Sequence, residues 1–122
     1  MNHHNGMAGE ETEMCFELIQ MDCWARKEHF EHYLSEVPCT YSMTTKLEIT
    51  PIVAAKRPLY PTMLYLIAKT VNRYPEFRMD FDKSGRPGVY AVMHPCYTVF
   101  HKDSETFSNI WTEYTDNYED FC

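Results

Sequence analysis

Apolar side chains near the start of the sequence recur with the spacing of an α-helix. Phe30, Tyr33, Leu34 and Val37 stand at i, i+3, i+4 and i+7, which gives a helix one hydrophobic face. Asp22 is a suitable N-cap, and a proline follows Val37 and stops the pattern. We therefore predict a first helix from Asp22 to about Glu36.

Two further helices are predicted in the middle of the sequence. Thr50-Pro51 is typical of a short helical turn, since proline is favoured at the first helical position. Tyr60-Pro61 begins a longer helix that Pro75 ends. Its apolar positions share one face, and we expect that face to be buried: Tyr60, Leu64, Ile67, Val71 and Tyr74.

A last helix is predicted from about Ser104 or Thr106. The helical spacing continues almost to the final residue, through Phe107, Ile110, Trp111, Tyr114, Tyr118 and Phe121. Because no stop signal follows this pattern, we expect the chain to be interrupted at Cys122 rather than finished.

Elsewhere the pattern has the period of a β-strand. Apolar and polar residues alternate over residues 40–50, which predicts a half-exposed strand. Residues 79–81 and 89–93 are predicted to pair as a hairpin, because the turn residues Lys83-Ser-Gly-Arg-Pro-Gly88 join them. Residues 98–101 form a further short strand. Alternating helices and strands with hairpin signals predict a mixed α/β sandwich and not a parallel Rossmann sheet.

Composition narrows the classes of function. The chain has 122 residues, 44% of them hydrophobic, which is enough for one domain with a core. A net charge of −7 argues against nucleic acid as a partner. There is no apolar run of transmembrane length and no apolar signal core, so we predict no membrane partner and a cytoplasmic protein.

Residues 1–13 are predicted to be a polar tail. The five cysteines show no regular framework and are expected to be reduced.

Individual side chains do not identify a reaction. The sequence has no GxGxxG, GxxxxGK or GxSxG motif. His29 and His32 have a possible metal spacing, but without a further ligand at a fixed offset we predict no metal site. His94 and His101 are expected to be capping or hydrogen-bonding residues, and the thiols are expected to be inert. The final carboxylates are expected to form a solvated face: Glu113, Asp116, Glu119 and Asp120.

Four blocks of residues, read together, resemble chloramphenicol acetyltransferase from about Cys23 to the last residue. They are Trp24-Ala-Arg-Lys-Glu-His-Phe-Glu31, Cys39-Thr-Tyr-Ser42, Tyr74-Pro-Glu-Phe-Arg-Met79 and His94-Pro-Cys-Tyr-Thr-Val-Phe-His-Lys-Asp-Ser-Glu-Thr-Phe-Ser-Asn-Ile-Trp111. The resemblance implies a two-layer mixed α/β sandwich of the CoA-dependent acyltransferase type, of which residues 14–122 are the N-terminal half. It also implies transfer of an acetyl group from acetyl-CoA to a hydroxyl of chloramphenicol, which confers antibiotic resistance, by a homotrimer with its active sites at subunit interfaces.

The resemblance also assigns roles to residues. In the family, a histidine in a His-His-x-x-x-Asp-Gly motif is the general base, and a serine stabilises the oxyanion; these 122 residues contain neither. The resemblance places the general base beyond Cys122, so no catalytic residue is expected in this chain, and the chain alone is expected to be inactive. Arg26 matches the arginine that pairs with the aspartate of that motif. The positions that match the drug-binding side are Tyr33, Cys39, Tyr41, Cys96, Thr98 and Phe107. Core packing is the alternative role for Tyr33, Tyr41 and Phe107.

Two other functions stay open. A relative with the same fold, such as the catalytic domain of dihydrolipoyl acyltransferases, acetylates a different acceptor; the drug-side matches from Tyr33 to Tyr41 favour chloramphenicol. The other alternative is a truncated, non-catalytic chain, which the missing histidine motif favours for these residues taken alone.

Overall fold

The computed structural model describes residues 16–122, so the predicted polar tail at residues 1–13 lies outside the described residues. The chain forms short helices and short antiparallel strands. The strands are β1 (Phe16–Leu18), β2 (Met79–Phe81), β3 (Pro87–Tyr90), β4 (Cys96–His101) and β5 (Thr106–Trp111). The helices are α1 (Lys27–Glu31, continued by the π-helical His32–Glu36), α2 (Thr50–Ala54), α3 (Leu59–Arg73) and α4 (Tyr118–Phe121). Short 3-10 turns cover Met21–Cys23 and Pro75–Arg78.

The predicted hairpin is confirmed, although its second strand begins and ends earlier than expected. Strand β3 lies between β1 and β2 and is antiparallel to both, with Val89 opposite Met79 and Gly88 opposite Leu18. The turn forms because the Asp82 carboxylate accepts hydrogen bonds from the backbone N–H groups of Ser84 and Arg86, at 2.9 and 2.8 Å. These bonds, with that of Arg86 the strongest, lower the pKa of Asp82.

The predicted last helix is wrong over its first part, where residues 106–111 form strand β5. Strand β5 pairs with β4 over six positions, from Cys96 opposite Trp111 to His101 opposite Thr106. Glu105 has a φ of 51° in the connecting turn, a left-handed conformation that does not continue into a helix. The six strand residues are rich in aromatic and β-branched side chains, which favour a pleated strand.

Only the end of the predicted last helix is helical, as α4. Asn117 caps α4 by accepting a hydrogen bond from the Glu119 N–H at 3.0 Å. At the other end, the Cys122 N–H donates to the Tyr118 carbonyl at 3.1 Å, and Cys122 is the C-cap of the helix. Helix α4 is therefore a single turn whose N-terminus is capped by the Asn117 side chain.

Helix α3 is confirmed, but its buried face differs from the predicted one. Thr62, Tyr65 and Ala68 are the buried residues of α3, whereas Tyr60 and Ile67 are 55% and 56% exposed. The reason is the position of α4, which packs on the side of α3 that carries Tyr65. The Tyr65 ring lies 5.2 Å from that of Tyr118 and 5.6 Å from that of Phe121.

Hydrogen bonds and ion pairs also hold the C-terminal segment on α3. Thr62 shares a hydrogen bond with the Tyr118 hydroxyl at 2.8 Å, and the Tyr65 hydroxyl donates to the Asp116 carbonyl at 2.7 Å. Arg57 forms an ion pair with Glu119 at 2.7 Å, and this bond raises the pKa of Arg57. The interior of this region therefore combines aromatic packing with satisfied polar groups, which a prediction based on apolar residues alone does not identify.

Two predictions in the first half of the chain are corrected. The first helix begins at Lys27 and not after Asp22, because Asp22 lies in a 3-10 turn. Trp24, between that turn and the helix, packs against Phe30 with ring centroids 5.3 Å apart. The strand predicted over residues 40–50 does not form, and residues 37–49 are neither helix nor strand. A strand needs a neighbour to pair with, and no described segment lies alongside this one as a ladder. The short turn at Thr50-Pro51 is confirmed as α2, and the mixed helix-and-sheet fold class is confirmed as well.

Candidate functional site

The β4–β5 hairpin brings three of the predicted drug-side residues onto one surface. Residues that are opposite each other in an antiparallel pair point to the same side of the sheet, and side chains alternate between sides along each strand. Thr98 is opposite Asn109, and Phe100 is opposite Phe107. One side of the hairpin, called here the hairpin face, therefore carries Cys96, Thr98, Phe100, Phe107, Asn109 and Trp111.

The hairpin face is aromatic at its ends and polar at its centre. Phe100, Phe107 and Trp111 are 60%, 67% and 66% exposed. Between them, the Thr98 hydroxyl donates a hydrogen bond to the Asn109 side-chain oxygen at 3.1 Å. Flat aromatic rings supply contact area to an aryl ligand, and a small number of polar groups fix its orientation. This arrangement suits an aromatic ligand that also carries hydrogen-bonding groups.

The opposite side of the hairpin attaches it to the rest of the chain. The Tyr60 ring lies 6.3 Å from the Tyr97 ring, and the Tyr60 hydroxyl donates to the Thr98 carbonyl at 3.3 Å. On the same side, a hydrogen bond of 2.9 Å joins His101 Nε2 and the Ser108 hydroxyl. Beyond the strands, His94 Nδ1 accepts a hydrogen bond from the Tyr114 N–H at 2.8 Å. Both histidines are thus hydrogen-bonding residues, as predicted.

Arg26 and Tyr33, the predicted residues on and before α1, line a second region. A cavity of about 670 Å³ lies between α1 and the three-stranded sheet, and it is called here the α1 cavity. Its walls are mainly apolar, with Arg26, His29 and Glu76 as the charged or titratable residues among Ile19, Trp24, Phe30, Tyr33, Leu34, Pro75, Met79 and Val89. A volume of this size is within the range of small-molecule sites.

The remaining two predicted residues, Cys39 and Tyr41, are placed in neither region. Both belong to the irregular segment 37–49, and Tyr41 is 87% exposed. Cys39 is an exposed free thiol, as is Cys96 at the start of β4. The six predicted drug-side residues therefore divide into three on the hairpin face, one at the α1 cavity and two on the irregular segment.

Cys122, beyond which the resemblance places the general base, lies apart from both regions. Its thiol is exposed and free, like those of Cys39 and Cys96. It belongs neither to the hairpin face nor to the walls of the α1 cavity. Cys122 contacts α4 through its backbone N–H, which donates to the Tyr118 carbonyl, and the position of the general base beyond it stays a prediction.

Phe100, Asn109 and Trp111 were not assigned to the site from the sequence. They belong to the hairpin face because residues 106–111 form a strand, in which every second residue points the same way. The aromatic and β-branched character of residues 106–111 is the signal in the sequence that favours this strand.

The carboxylates near the C-terminus are exposed, but two of them form ion pairs. The Asp116 carboxylate accepts hydrogen bonds from Lys69 at 3.1 Å and from the Tyr114 hydroxyl at 3.0 Å. The Lys69 bond, more than the Tyr114 bond, lowers the pKa of Asp116. Partial burial, followed by the bond to Asp116, raises the pKa of Tyr114. These contacts hold the C-terminal segment on α3 and are not part of the hairpin face or the α1 cavity.

Within residues 16–122, no group of three or more His, Cys, Asp or Glu side chains is arranged to hold a metal ion. His32 Nδ1 and a carboxylate oxygen of Glu36 lie 3.0 Å apart in an exposed i,i+4 pair. Over the same described range, no helix is both long enough and apolar enough to cross a membrane.

Comparisons with known proteins agree with the resemblance in the sequence. The family model described as chloramphenicol acetyltransferase matches residues 14–122. A chloramphenicol acetyltransferase of Vibrio anguillarum is 54% identical over 109 residues, which cover 89% of this chain and 50% of the relative. One of Campylobacter coli is 51% identical over 108 residues, which cover 88% of this chain and 52% of the relative.

A solved structure of a chloramphenicol acetyltransferase has a similar fold. It superposes with a TM-score of 0.75 at 24% identity, over 87% of this chain and 51% of that one. The chain thus spans about half the length of the curated relatives that it matches. Because the family model covers residues 14–122 of the 122 residues, this chain belongs to the chloramphenicol acetyltransferase family.

Proposed function

We propose that this chain forms part of an enzyme that transfers an acetyl group from acetyl-CoA to a hydroxyl of chloramphenicol, and that it supplies part of the drug-binding side. Membership of the family supports the reaction. The observation that carries the assignment to the drug-binding side is the grouping of Cys96, Thr98 and Phe107 on one exposed face. Residues that match a family's ligand side and also share one surface are suited to contact one ligand.

The hairpin face suits the chemistry of this drug. Chloramphenicol carries an aryl ring and hydroxyl groups, so its site needs apolar area and a few polar anchors. Phe107 offers an exposed ring for the aryl group, and the Thr98–Asn109 pair offers a hydroxyl and an amide within 3.1 Å of each other. In this role, the residues of the chain bind and orient the acceptor, which reduces the entropic part of the barrier.

The chemical step requires groups that these 122 residues lack. In the proposed reaction a general base takes the proton of the drug hydroxyl, the oxygen attacks the thioester carbon, and the carbon–sulfur bond breaks. The CoA thiolate leaves and receives the proton, so that acetylated drug and free CoA are the products. The family resemblance assigns the base to the histidine motif absent from this sequence. Acetyl-CoA is the proposed co-substrate.

The residues away from the hairpin have supporting roles in this proposal. Arg26, on the wall of the α1 cavity, is proposed to pair with the aspartate of the histidine motif and so to position the catalytic loop. Tyr33, Cys39 and Tyr41 are proposed to contribute to the drug site, which requires the irregular segment to come together with α1. A homotrimer and a cytoplasmic location are part of the same proposal.

A chimera tests the proposed function directly. Residues 14–122 of this chain would be joined to the part of the Vibrio anguillarum relative that lies outside the 109 matched residues. Release of the CoA thiol is then followed with chloramphenicol and acetyl-CoA. We expect drug-dependent release from the chimera and none from the 122-residue chain, because loss of a general base alone slows a reaction by about 10²–10⁴-fold.

The choice of acceptor separates the proposal from its nearest alternative. A folded chimera that releases no thiol with chloramphenicol would contradict the proposed function. Faster release with dihydrolipoamide than with chloramphenicol would instead favour an acyltransferase with another acceptor. Turnover by the 122-residue chain alone would show that the missing motif is not required.

A further inference from the structure

Residues 91–95, called here the connecting segment, join the three-stranded sheet to the β4–β5 hairpin. The connecting segment belongs to no helix or strand, and β4 begins directly after it at Cys96. Cys96 and Thr98 are residues of the hairpin face. A contact that fixes the connecting segment therefore also fixes the near end of the hairpin face.

The Asn72 side chain, in the last turn of α3, holds the connecting segment at Met93. Its amide nitrogen donates to the Met93 carbonyl at 2.8 Å, and its amide oxygen accepts from the Met93 N–H at 2.8 Å. These are the two bonds that a neighbouring strand would supply, so the side chain takes the place of a strand partner at this residue. Because one planar amide binds both backbone groups, the position of Met93 relative to α3 is fixed.

Asn72 is itself oriented by its own helix. Its amide nitrogen also donates to the carbonyl of Ala68, one turn earlier in α3, at 2.9 Å, and Ala68 is buried. The two N–H groups and the oxygen of the amide are thus all used. Aspartate at this position would keep an acceptor for the Met93 N–H, but its carboxylate would have no N–H to donate to either carbonyl.

A stiff stretch of backbone connects Met93 to the hairpin face. Only His94 and Pro95 separate Met93 from Cys96, and the proline ring fixes the φ of Pro95 and restricts the backbone of His94. In addition, the Pro95 carbonyl accepts from the Thr112 N–H at 3.1 Å, which joins the connecting segment to the residue that follows β5. A shift of Met93 would therefore move both strands of the hairpin.

We infer that Asn72 is a positioning residue for the drug-binding side, because through Met93 it sets the placement of the hairpin face relative to α3. The inference rests on the proposed function, in which the drug binds at the hairpin face. The drug hydroxyl must then meet reacting groups that are supplied from outside this chain. A shift of the hairpin face relative to the rest of the fold misaligns that hydroxyl, and a misplacement of about 1 Å can cost about 10²-fold in rate.

The kinetic test compares Asn72→Ala with Thr70→Ala in the chimera described above. Thr70 also lies in α3, and its hydroxyl donates to the Leu66 carbonyl at 2.8 Å, so Thr70→Ala removes a bond within the helix and none to the connecting segment. We expect Asn72→Ala to raise the KM for chloramphenicol at least about tenfold and to change that for acetyl-CoA less than about twofold. Thr70→Ala should change both values less than about twofold, because Thr70 is exposed. A merely structural role of Asn72 would lower the folded fraction, which reduces kcat but leaves both KM values unchanged.

Hydrogen exchange follows the same linkage without drug or acetyl-CoA. In the 122-residue chain, Asn72→Ala should reduce the protection of the Met93 amide at least about tenfold, because the acceptor of its hydrogen bond is removed. The Thr112 amide, whose acceptor is Pro95, should lose protection in the same variant, whereas Thr70→Ala should change neither amide. A chimera with Asn72 intact that releases no thiol with chloramphenicol would contradict the proposed function, and the exchange of Thr112 would still decide whether Asn72 holds the hairpin in place.

Two results would overturn the inference. One is a folded, active Asn72→Ala chimera in which the KM for chloramphenicol is unchanged, or in which both KM values rise equally. The other is unchanged protection of the Thr112 amide, which would show that the hairpin keeps its place without Asn72. Alanine favours a helix, so α3 is expected to persist in the variant. If the alanine chimera does not fold, Asn72→Asp keeps the acceptor for the Met93 N–H, loses the donated bonds and is judged by the same comparison of KM values.

Discussion

Truncation of Phe121 tests whether α4 is held on α3 by its buried ring. Phe121 is 9% exposed, and its ring lies 5.6 Å from the Tyr65 ring and 6.5 Å from the Tyr114 ring. Replacing a core phenylalanine with alanine costs about 3–5 kcal/mol, from lost burial and from the cavity that remains. Because α4 has only one turn and can settle towards α3, we expect Phe121→Ala to lower the free energy of unfolding by about 3 kcal/mol.

The measurement is urea unfolding of the 122-residue chain, followed by circular dichroism. Phe107→Ala is the matched control: the same atoms are removed from a ring that is 67% exposed, so the expected loss is below about 0.5 kcal/mol. Phe121→Leu keeps most of the apolar volume and should cost about 1 kcal/mol, which keeps the series measurable if the alanine variant unfolds. Equal losses for Phe121→Ala and Phe107→Ala would refute the packing of α4 described above.

The remaining predictions concern pH, backbone packing and drug binding. The Lys69 bond lowers the pKa of Asp116 in the folded chain, so the ionised Asp116 carboxylate stabilises the fold at neutral pH. This stabilisation is lost as the pH falls through the folded pKa. The Asp116→Asn variant should therefore show a smaller fall in melting temperature between about pH 6 and pH 3 than the unsubstituted chain. Gly88→Ala should destabilise the chain by about 1–3 kcal/mol in urea unfolding, because the added carbon would meet the Phe16 ring and lie 2.7 Å from the Glu17 carbonyl oxygen. In the chimera, Phe107→Ala should raise the KM for chloramphenicol about ten- to hundredfold and leave that for acetyl-CoA nearly unchanged; equal increases would indicate general disruption.

The elements that were predicted correctly from the sequence are those that depend on interactions between residues close together in the chain. The hairpin of β2 and β3 depends on a turn in which Asp82 binds backbone N–H groups and Gly85 adopts a φ of 76°. These interactions lie within a few residues of one another, so the residue types identify the turn. Helix α3 is likewise bounded by the two prolines used to predict it: Pro61 lies in its first turn, and Pro75 begins the 3-10 turn that follows it.

The elements that were predicted wrongly depend on distant partners. Residues 106–111 carry apolar side chains at positions that fit a helix, but pairing with β4 decides in favour of a strand. The buried face of α3 is likewise chosen by α4, which is more than 40 residues away in the sequence. In both cases tertiary contacts override a local pattern that is compatible with more than one structure.

The correction from helix to strand changes which residues can act together in the candidate site. In a helix, Phe107 would share a face with residues three and four positions later, and Asn109 would point elsewhere. In the strand, Phe107, Asn109 and Trp111 lie on one side, and register places them opposite Phe100, Thr98 and Cys96. The resemblance assigned Thr98 and Phe107 to the drug-binding side from one matched block, residues 94–111, with Thr98 on a strand and Phe107 at the start of a helix. The register supplies the reason that they can contact the same ligand, together with neighbours that the residue types did not indicate. For a site of this kind, the sequence can identify the residues that belong to it, but strand pairing determines how those residues are arranged.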